Sequence, residues 1–174
     1  MSPHHRTTAP EPTIAAWAKH LPAAGSVLDV AAGSGRHALW FAEQGHHVTA
    51  VDRDTEALRA RPHDRVRVVT ADLENAPWPL PGEQFDAVLV VNYLWRTLLP
   101  TLIASVAGSG HLLYETFAIG NEQFGRPRNP DFLLQPDELR LALPDTFEVI
   151  EFGHGVVGDP PTAVRQRLLA RRRR

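Results

Sequence analysis

The sequence predicts an α/β domain built on a mostly parallel sheet, and three observations carry that expectation. Short apolar runs rich in β-branched residues alternate with stretches of helical periodicity, the pattern of strands joined by crossover helices. A bare turn, Gly33-Ser34-Gly35, stands between the first strand and the helix after it. Residues 85–91 (FDAVLVV) are an almost unbroken apolar run, as in a strand covered on both faces.

Residues 1–11 contain Pro3 and Pro10 and show no periodicity, so a flexible N-terminus is expected there and a single domain over 12–174. Ile14, Trp17, Ala18 and Leu21 recur at helical spacing, and Pro22 closes that short helix. A strand is expected at 27–30, then a helix at 36–44 capped by Gly45. A second strand at 48–52 leads to a helix at 54–61, stopped by Pro62, and to a third strand at 66–70. After the strand at 85–91, Pro100 suits the first turn of a helix ending near Ala107. Strand five is expected at 112–115. Asp137 and Glu138 suit the positive end of a helix over 136–143, with Pro144 after it. The runs at 147–152 and 164–170 are expected to pair antiparallel.

Composition excludes several classes of function. The chain has 174 residues, 43 % of them hydrophobic, and no cysteine, so disulfide and thiolate chemistry are absent. No run of about 18 apolar residues exists to span a membrane, and no signal peptide is recognisable, so a cytoplasmic location is expected. A net charge of −2 offers no global field for nucleic acid. The block at 171–174 reads as a solvated tail. His46 and His47 are adjacent at a strand start and would point to opposite faces, and no metal-ligand spacing is seen.

A strand, a bare turn and a helix start together present free N–H groups and a positive dipole end, with no Cβ atoms to hold a ligand off the backbone. The segment also fits the dinucleotide pattern G-x-G-x-x-A, so by itself it does not choose between cofactors. Open α/β sheets bind ligands at the carboxyl ends of their strands. Asp29, Asp52, Asp72, Asn92 and Glu115 all fall at such ends. His111 opens strand five, at the far end, and is assigned no role.

On these residues the chain resembles a class I S-adenosylmethionine-dependent methyltransferase over roughly 12–170. The resemblance implies a Rossmann-like, seven-stranded, mostly parallel sheet with a C-terminal antiparallel strand and helices on both faces. It implies S-adenosylmethionine as cofactor and S-adenosylhomocysteine as product. The family's acid and three alternating glycines correspond to Asp29, Ala31, Gly33 and Gly35, with Ala31 departing from the pattern. Asp29 and the Gly33–Gly35 backbone would lie under the methionine part. Asp52, with Arg53 beside it, would meet the ribose. Asp72 and Leu73 of "TADLE" would meet the adenine, and Asn92 would border the cofactor. The "GSGRH" turn and the lack of an added substrate domain resemble the compact tellurite-resistance and thiol-methyltransferase-like branch.

The substrate side is less defined. Arg36 is placed either on the methionine carboxylate or in solvent, and His37 either at the methyl donor or on the helix surface. "VNYLWR" lacks the paired prolines of nucleic-acid amino methylases, which argues against adenine or cytosine amino methylation. Asn92, Tyr93, Arg96, Glu115, Phe117, Phe124 and Arg126 are the candidates for contact with a small-molecule acceptor, an anionic or soft nucleophile. Tyr93 and Trp95 fit core packing equally well. The 116–135 segment, with three phenylalanines and two arginines, reads as a lid over the methyl group or as a docking surface for a protein. A noncatalytic S-adenosylmethionine-binding module remains the alternative to an enzyme, and a nicotinamide-dependent oxidoreductase is a third reading, one that leaves no residues for a catalytic domain. The oligomeric state is not readable.

Overall fold

The computed structural model describes residues 9–174, so most of the segment expected to be flexible, 1–11, lies outside the described residues. Seven strands form one sheet: β1 (Ser26–Val30), β2 (His47–Asp52), β3 (Val66–Thr70), β4 (Phe85–Val91), β5 (Val106–Phe117), β6 (Phe147–Val157) and β7 (Ala163–Arg172). Their order is β3-β2-β1-β4-β5-β7-β6. The four pairings from β3 to β5 are parallel, and β7 runs antiparallel between β5 and β6. The strand order reverses between β1 and β4, which opens a crevice at their carboxyl ends.

Side-chain alternation divides the core into two layers. Leu28, Val30, Val88, Val90, Leu112, Tyr114 and Leu168 face one side. There they meet α4 (Leu99–Ala104) and α5 (Glu138–Leu141). Val27, Ala50, Ala87, Leu89, Leu113 and Leu169 face the other. They pack on α1 (Pro12–Trp17), α2 (Arg36–Glu43) and α3 (Glu56–Arg59). Both faces of β1 and β4 are thus dry, as their apolar runs require.

The largest departures from the sequence-based elements lie at strand five. The expected helix to Ala107 stops at Ala104, and β5 begins at Val106, six residues early. Gly108 and Gly110 lie inside this strand. A register shift opposite Phe85–Ala87 takes up the extra residues. The helices expected at 54–61 and 136–143 shorten to single turns. Two residues of the expected solvated tail, Arg171 and Arg172, are the end of β7, and Arg172 Nη1 donates to the Val106 carbonyl at 2.6 Å.

Candidate active site

The site starts where β1 ends. The backbone takes left-handed φ at alternate residues, Ala31 (53°), Gly33 (55°) and Gly35 (79°), and then enters α2. Ala31 holds this conformation despite its Cβ, at a cost of about 1–2 kcal/mol. The turn is fastened by Ala32 N–H to the Val51 carbonyl (3.0 Å) and by the Arg61 guanidinium on the Ser34 carbonyl. Asp52, at the end of β2, ties it from the side. Its Oδ2 accepts the Gly33 N–H at 2.7 Å and its Oδ1 the Asp54 N–H at 2.9 Å. Asp72, after β3, is aimed by the Glu74 and Asn75 N–H groups and by the Asn75 side chain. The Asn75 amide and those N–H groups hold the Asp72 carboxyl below its ordinary range. A cleft of about 310 Å³ lies between them, walled by Ala31, Asp52, Arg53, Asp72, Leu73 and Tyr93.

Asp29 is buried at the inner edge of the turn. Burial is the main reason its carboxyl is pushed up to about 7; Asp52 adds to the rise, and a hydrogen bond from Ala38 opposes it. Its Oδ2 has no hydrogen-bond partner among the described residues. Arg36 does not simply face solvent. Its Nη2 meets the Glu11 carboxylate at 2.7 Å, which also draws Glu11 out of the expected flexible segment. His37 is buried rather than on the helix surface. Its Nε2 accepts the Glu11 N–H at 3.2 Å, which requires the ring proton on Nδ1. Burial, helped by the Arg36 charge, lowers its pKa to about 4, so the ring is neutral at pH 7.

Tyr93, expected on the substrate side, lines the same cleft as Asp52 and Asp72. Its hydroxyl is raised to about 12, chiefly by burial and then by Glu74, Asp72 and Asp52. Asn92 and Glu115 come together through a residue the sequence did not single out, Arg165 of β7. Arg165 Nε donates to Glu115 Oε1 at 2.8 Å and Nη2 to Asn92 Oδ1 at 2.6 Å, while its guanidinium lies 4.6 Å over the Phe117 ring. A lone arginine in a C-terminal strand carries no sequence signal. Only the β5–β7 register sets it opposite Phe117.

Arg96, Phe124 and Arg126 are not brought to this place. Arg96 holds Glu138 through two hydrogen bonds (2.6 and 2.9 Å) and donates to the Asp131 and Leu133 carbonyls. It therefore fastens the 116–135 loop to α5, with its charge already matched. Arg96→Ala is expected to lower stability by about 1–2 kcal/mol. It should also open residues 130–136 to protease, as urea unfolding and limited proteolysis would show; an unchanged digest would remove this role. The loop itself is pinned. Ala118 bridges Leu134, and buried Asn121 accepts the Val164 N–H and donates to the Pro127 carbonyl. Phe124, Arg126 and Arg128 are exposed on its outer side. No group of three or more His, Asp or Glu that could hold a metal occurs among the described residues, and none of their helices is long and apolar enough to cross a membrane.

The residues present fit an adenosyl sulfonium cofactor: a bare Gly33 backbone, two strand-end carboxylates on one cleft, and a buried Asp29 oxygen without a partner. Residues 27–109 match the family model described as a methyltransferase domain. That match covers just under half of the chain, and the sheet order is the one the solved structures below share. Among solved structures the chain is similar to TehB from Haemophilus influenzae (TM-score 0.73, 19 % identity), over 97 % of this chain and 64 % of that one. It therefore spans just under two thirds of TehB. It is also similar to an S-adenosylmethionine-dependent methyltransferase from Mesorhizobium loti (TM-score 0.68, 16 % identity), over 91 % of this chain and 96 % of that one. A third is the Burkholderia thailandensis 1,6-didemethyltoxoflavin-N1-methyltransferase, solved with its substrate and S-adenosylhomocysteine (TM-score 0.65, 22 % identity), over 94 % of this chain and 78 % of that one. No curated protein sequence matches the chain.

Proposed function

We propose that the protein, a single domain over residues 12–174, transfers a methyl group from S-adenosylmethionine to a small-molecule acceptor. The observation that carries this reading is the cleft at the strand-order reversal, with the carboxylates of Asp52 and Asp72 on one wall and the bare Gly33 backbone at its edge. Asp52 is assigned to the ribose hydroxyls, Asp72 to the adenine amino group and Leu73 to the ring face. Asp29 is assigned to the ammonium of the methionine end. When bound, the cofactor supplies a methyl group already activated by the sulfonium charge. This chain's residues then have only to orient the acceptor and exclude water. The fold neighbour that holds a small heterocycle beside S-adenosylhomocysteine supports an acceptor of that size.

The test is a calorimetric titration of S-adenosylhomocysteine and NAD, followed by turnover with tellurite, selenite, thiols, phenols and carboxylates, read as S-adenosylhomocysteine formed. Binding of the nucleoside without turnover of any acceptor would favour a noncatalytic module, and binding of NAD alone would remove the reading. Within it, Asp52→Ala is expected to weaken S-adenosylhomocysteine tenfold or more, since hydrogen bonds to a charged carboxylate contribute about 1.5–3 kcal/mol. Unchanged affinity would place the ribose elsewhere.

A further inference from the structure

The sheet face that carries α4 and α5 holds a groove of about 550 Å³, within the size range of small-molecule pockets. α4 supplies Leu99, Pro100 and Ile103 to it, and the stretch from α5 to β6 supplies Ala142, Pro144 and Phe147. Leu99, Ile103 and Phe147 belong to the core of this face, yet each keeps 8 % of its surface exposed. The polar members are Arg96, Thr146 and Arg172, and no carboxylate lines the groove.

The two arginines stand at opposite ends of α4 and differ in charge balance. Arg96, just before the helix, meets Glu138 Oε1 at 2.6 Å, so its charge is matched. Arg172 pairs with no carboxylate among the described residues. Its guanidinium makes one hydrogen bond, from Nη1 to the Val106 carbonyl at 2.6 Å. That bond fixes the position of the half-buried group and leaves its Nε and Nη2 donors unused. Val106 opens β5, so Arg172 lies at the edge of the sheet opposite to the strand ends that carry Asp52 and Asp72. Between the arginines, the six residues Leu99–Ala104 give about 9 Å of helix. The groove therefore has an unmatched cation at one end, an apolar wall along its length, and a neutralised pair at the other end.

We propose that this groove is a second ligand site, distinct from the cofactor cleft, and that its ligand is a small amphipathic carboxylate with a medium-length hydrocarbon tail. The carboxylate takes the free donors of Arg172, whose planar fork matches two oxygens. The tail lies along α4 on Leu99, Pro100 and Ile103 and points toward Arg96, so that apolar surface on both partners leaves water. The site does not depend on the methyltransferase reading and needs no cofactor.

The probe is octanoate, with butanoate, octanol and octyltrimethylammonium beside it. Binding is followed by calorimetry and by the nuclear magnetic resonance signals of the Arg172 Nε–H and the Ile103 methyl groups. Octanoate should bind with Kd below about 1 mM, a workable threshold for so small a ligand, and should shift both signals. Butanoate should bind at least about tenfold more weakly, because four CH₂ groups of the tail are lost. Octanol should be weaker by about tenfold or more, and the ammonium compound should not bind. Arg172→Gln should weaken octanoate about tenfold or more. Because Arg172 also ties β7 to β5, a second variant keeps the test independent of folding. Thr146 is exposed, and its carbonyl accepts the Arg173 N–H at 2.7 Å. Thr146→Glu adds a carboxylate to the lining and should weaken octanoate about fivefold or more, with thermal unfolding unchanged. An arginine that only fastens β7 to β5 would give no preference for the acid over the alcohol. Octanoate that fails to bind, binds no better than octanol, or shifts only residues of the cofactor cleft would overturn the proposal. So would equal binding to the folded Thr146→Glu protein and the unaltered one.

Discussion

Asp29→Asn is expected to make the protein more stable at pH 8 and to weaken its hold on S-adenosylmethionine. Burial raises the folded-state pKa of Asp29 from 3.8 to about 7. A raised carboxylate favours the folded state only while protonated. Its contribution is therefore full below about pH 4 and is lost as pH rises through about 7. By pH 8 the buried charge costs on the order of 4 kcal/mol relative to the neutral acid. Asparagine never ionises and so escapes this cost. Its amide puts a donor where Oδ2 now lacks a partner, which takes back about 1–3 kcal/mol. The net gain at pH 8 is about 1–3 kcal/mol, and it should vanish near pH 5, as urea unfolding at the two pH values will show. Binding should move the other way. An ammonium placed against Asp29 favours the ionised form, so the affinity of the unaltered protein should climb from pH 6 to pH 8 with release of a proton, and that climb should be absent in the variant. Equal unfolding curves for the two proteins at both pH values would mean that Asp29 is not the buried acid described.

Asp29 also shows what could and could not be read from the chain. Its place at the end of a short apolar run, two residues before an alternating small-residue turn, is a local pattern. So are Asp52 and Asp72 at the ends of the next two strands. These three needed no tertiary information, because in a parallel sheet every strand enters from the same side and ends at the same edge. The side chains around Glu115 had no such rule to follow. Arg165 and Arg167 alternate with buried residues on β7, and nothing local separates them from Arg171, which sits at the far end of the same strand. Their pairing with Glu115 depends on an antiparallel register across fifty residues. Arg96 was misplaced for a related reason. Tyr93, three residues earlier, lines the cleft, but the Arg96 side chain points to α5, where it pairs with Glu138. The strand-five boundary failed because two glycines at 108 and 110 signal a turn locally, whereas the sheet absorbs them in a bulge.

Gly35→Val is expected to unfold much of the protein, while Gly33→Ala leaves it folded and impairs cofactor binding. The two glycines look equivalent in the sequence, and both have positive φ. Their surroundings differ. A Cβ at Gly35 would overlap Leu58 Cδ1, a fully buried side chain in the layer that joins α2 and α3 to the sheet. A Cβ at Gly33 meets nothing within 4 Å. Bulk at Gly35 was expected from the sequence to intrude on the ligand; the structure turns that bulk into the core. Valine there combines left-handed strain, disfavoured further by its branched Cβ, with overpacking, for a total of about 3–5 kcal/mol. At Gly33 alanine bears only the conformational strain, about 1–2 kcal/mol. In the cofactor placement proposed above the ligand approaches the backbone at this residue, so the added methyl should lower S-adenosylhomocysteine affinity at least tenfold. Leu58→Ala should recover part of the stability lost in Gly35→Val by making room for the new side chain, and should recover none of the binding lost in Gly33→Ala. Thermal unfolding and calorimetric titration of the single and double variants read the two effects separately. A Gly35→Val protein that melts normally but fails to bind would reverse the assignment and return Gly35 to the ligand side of the turn.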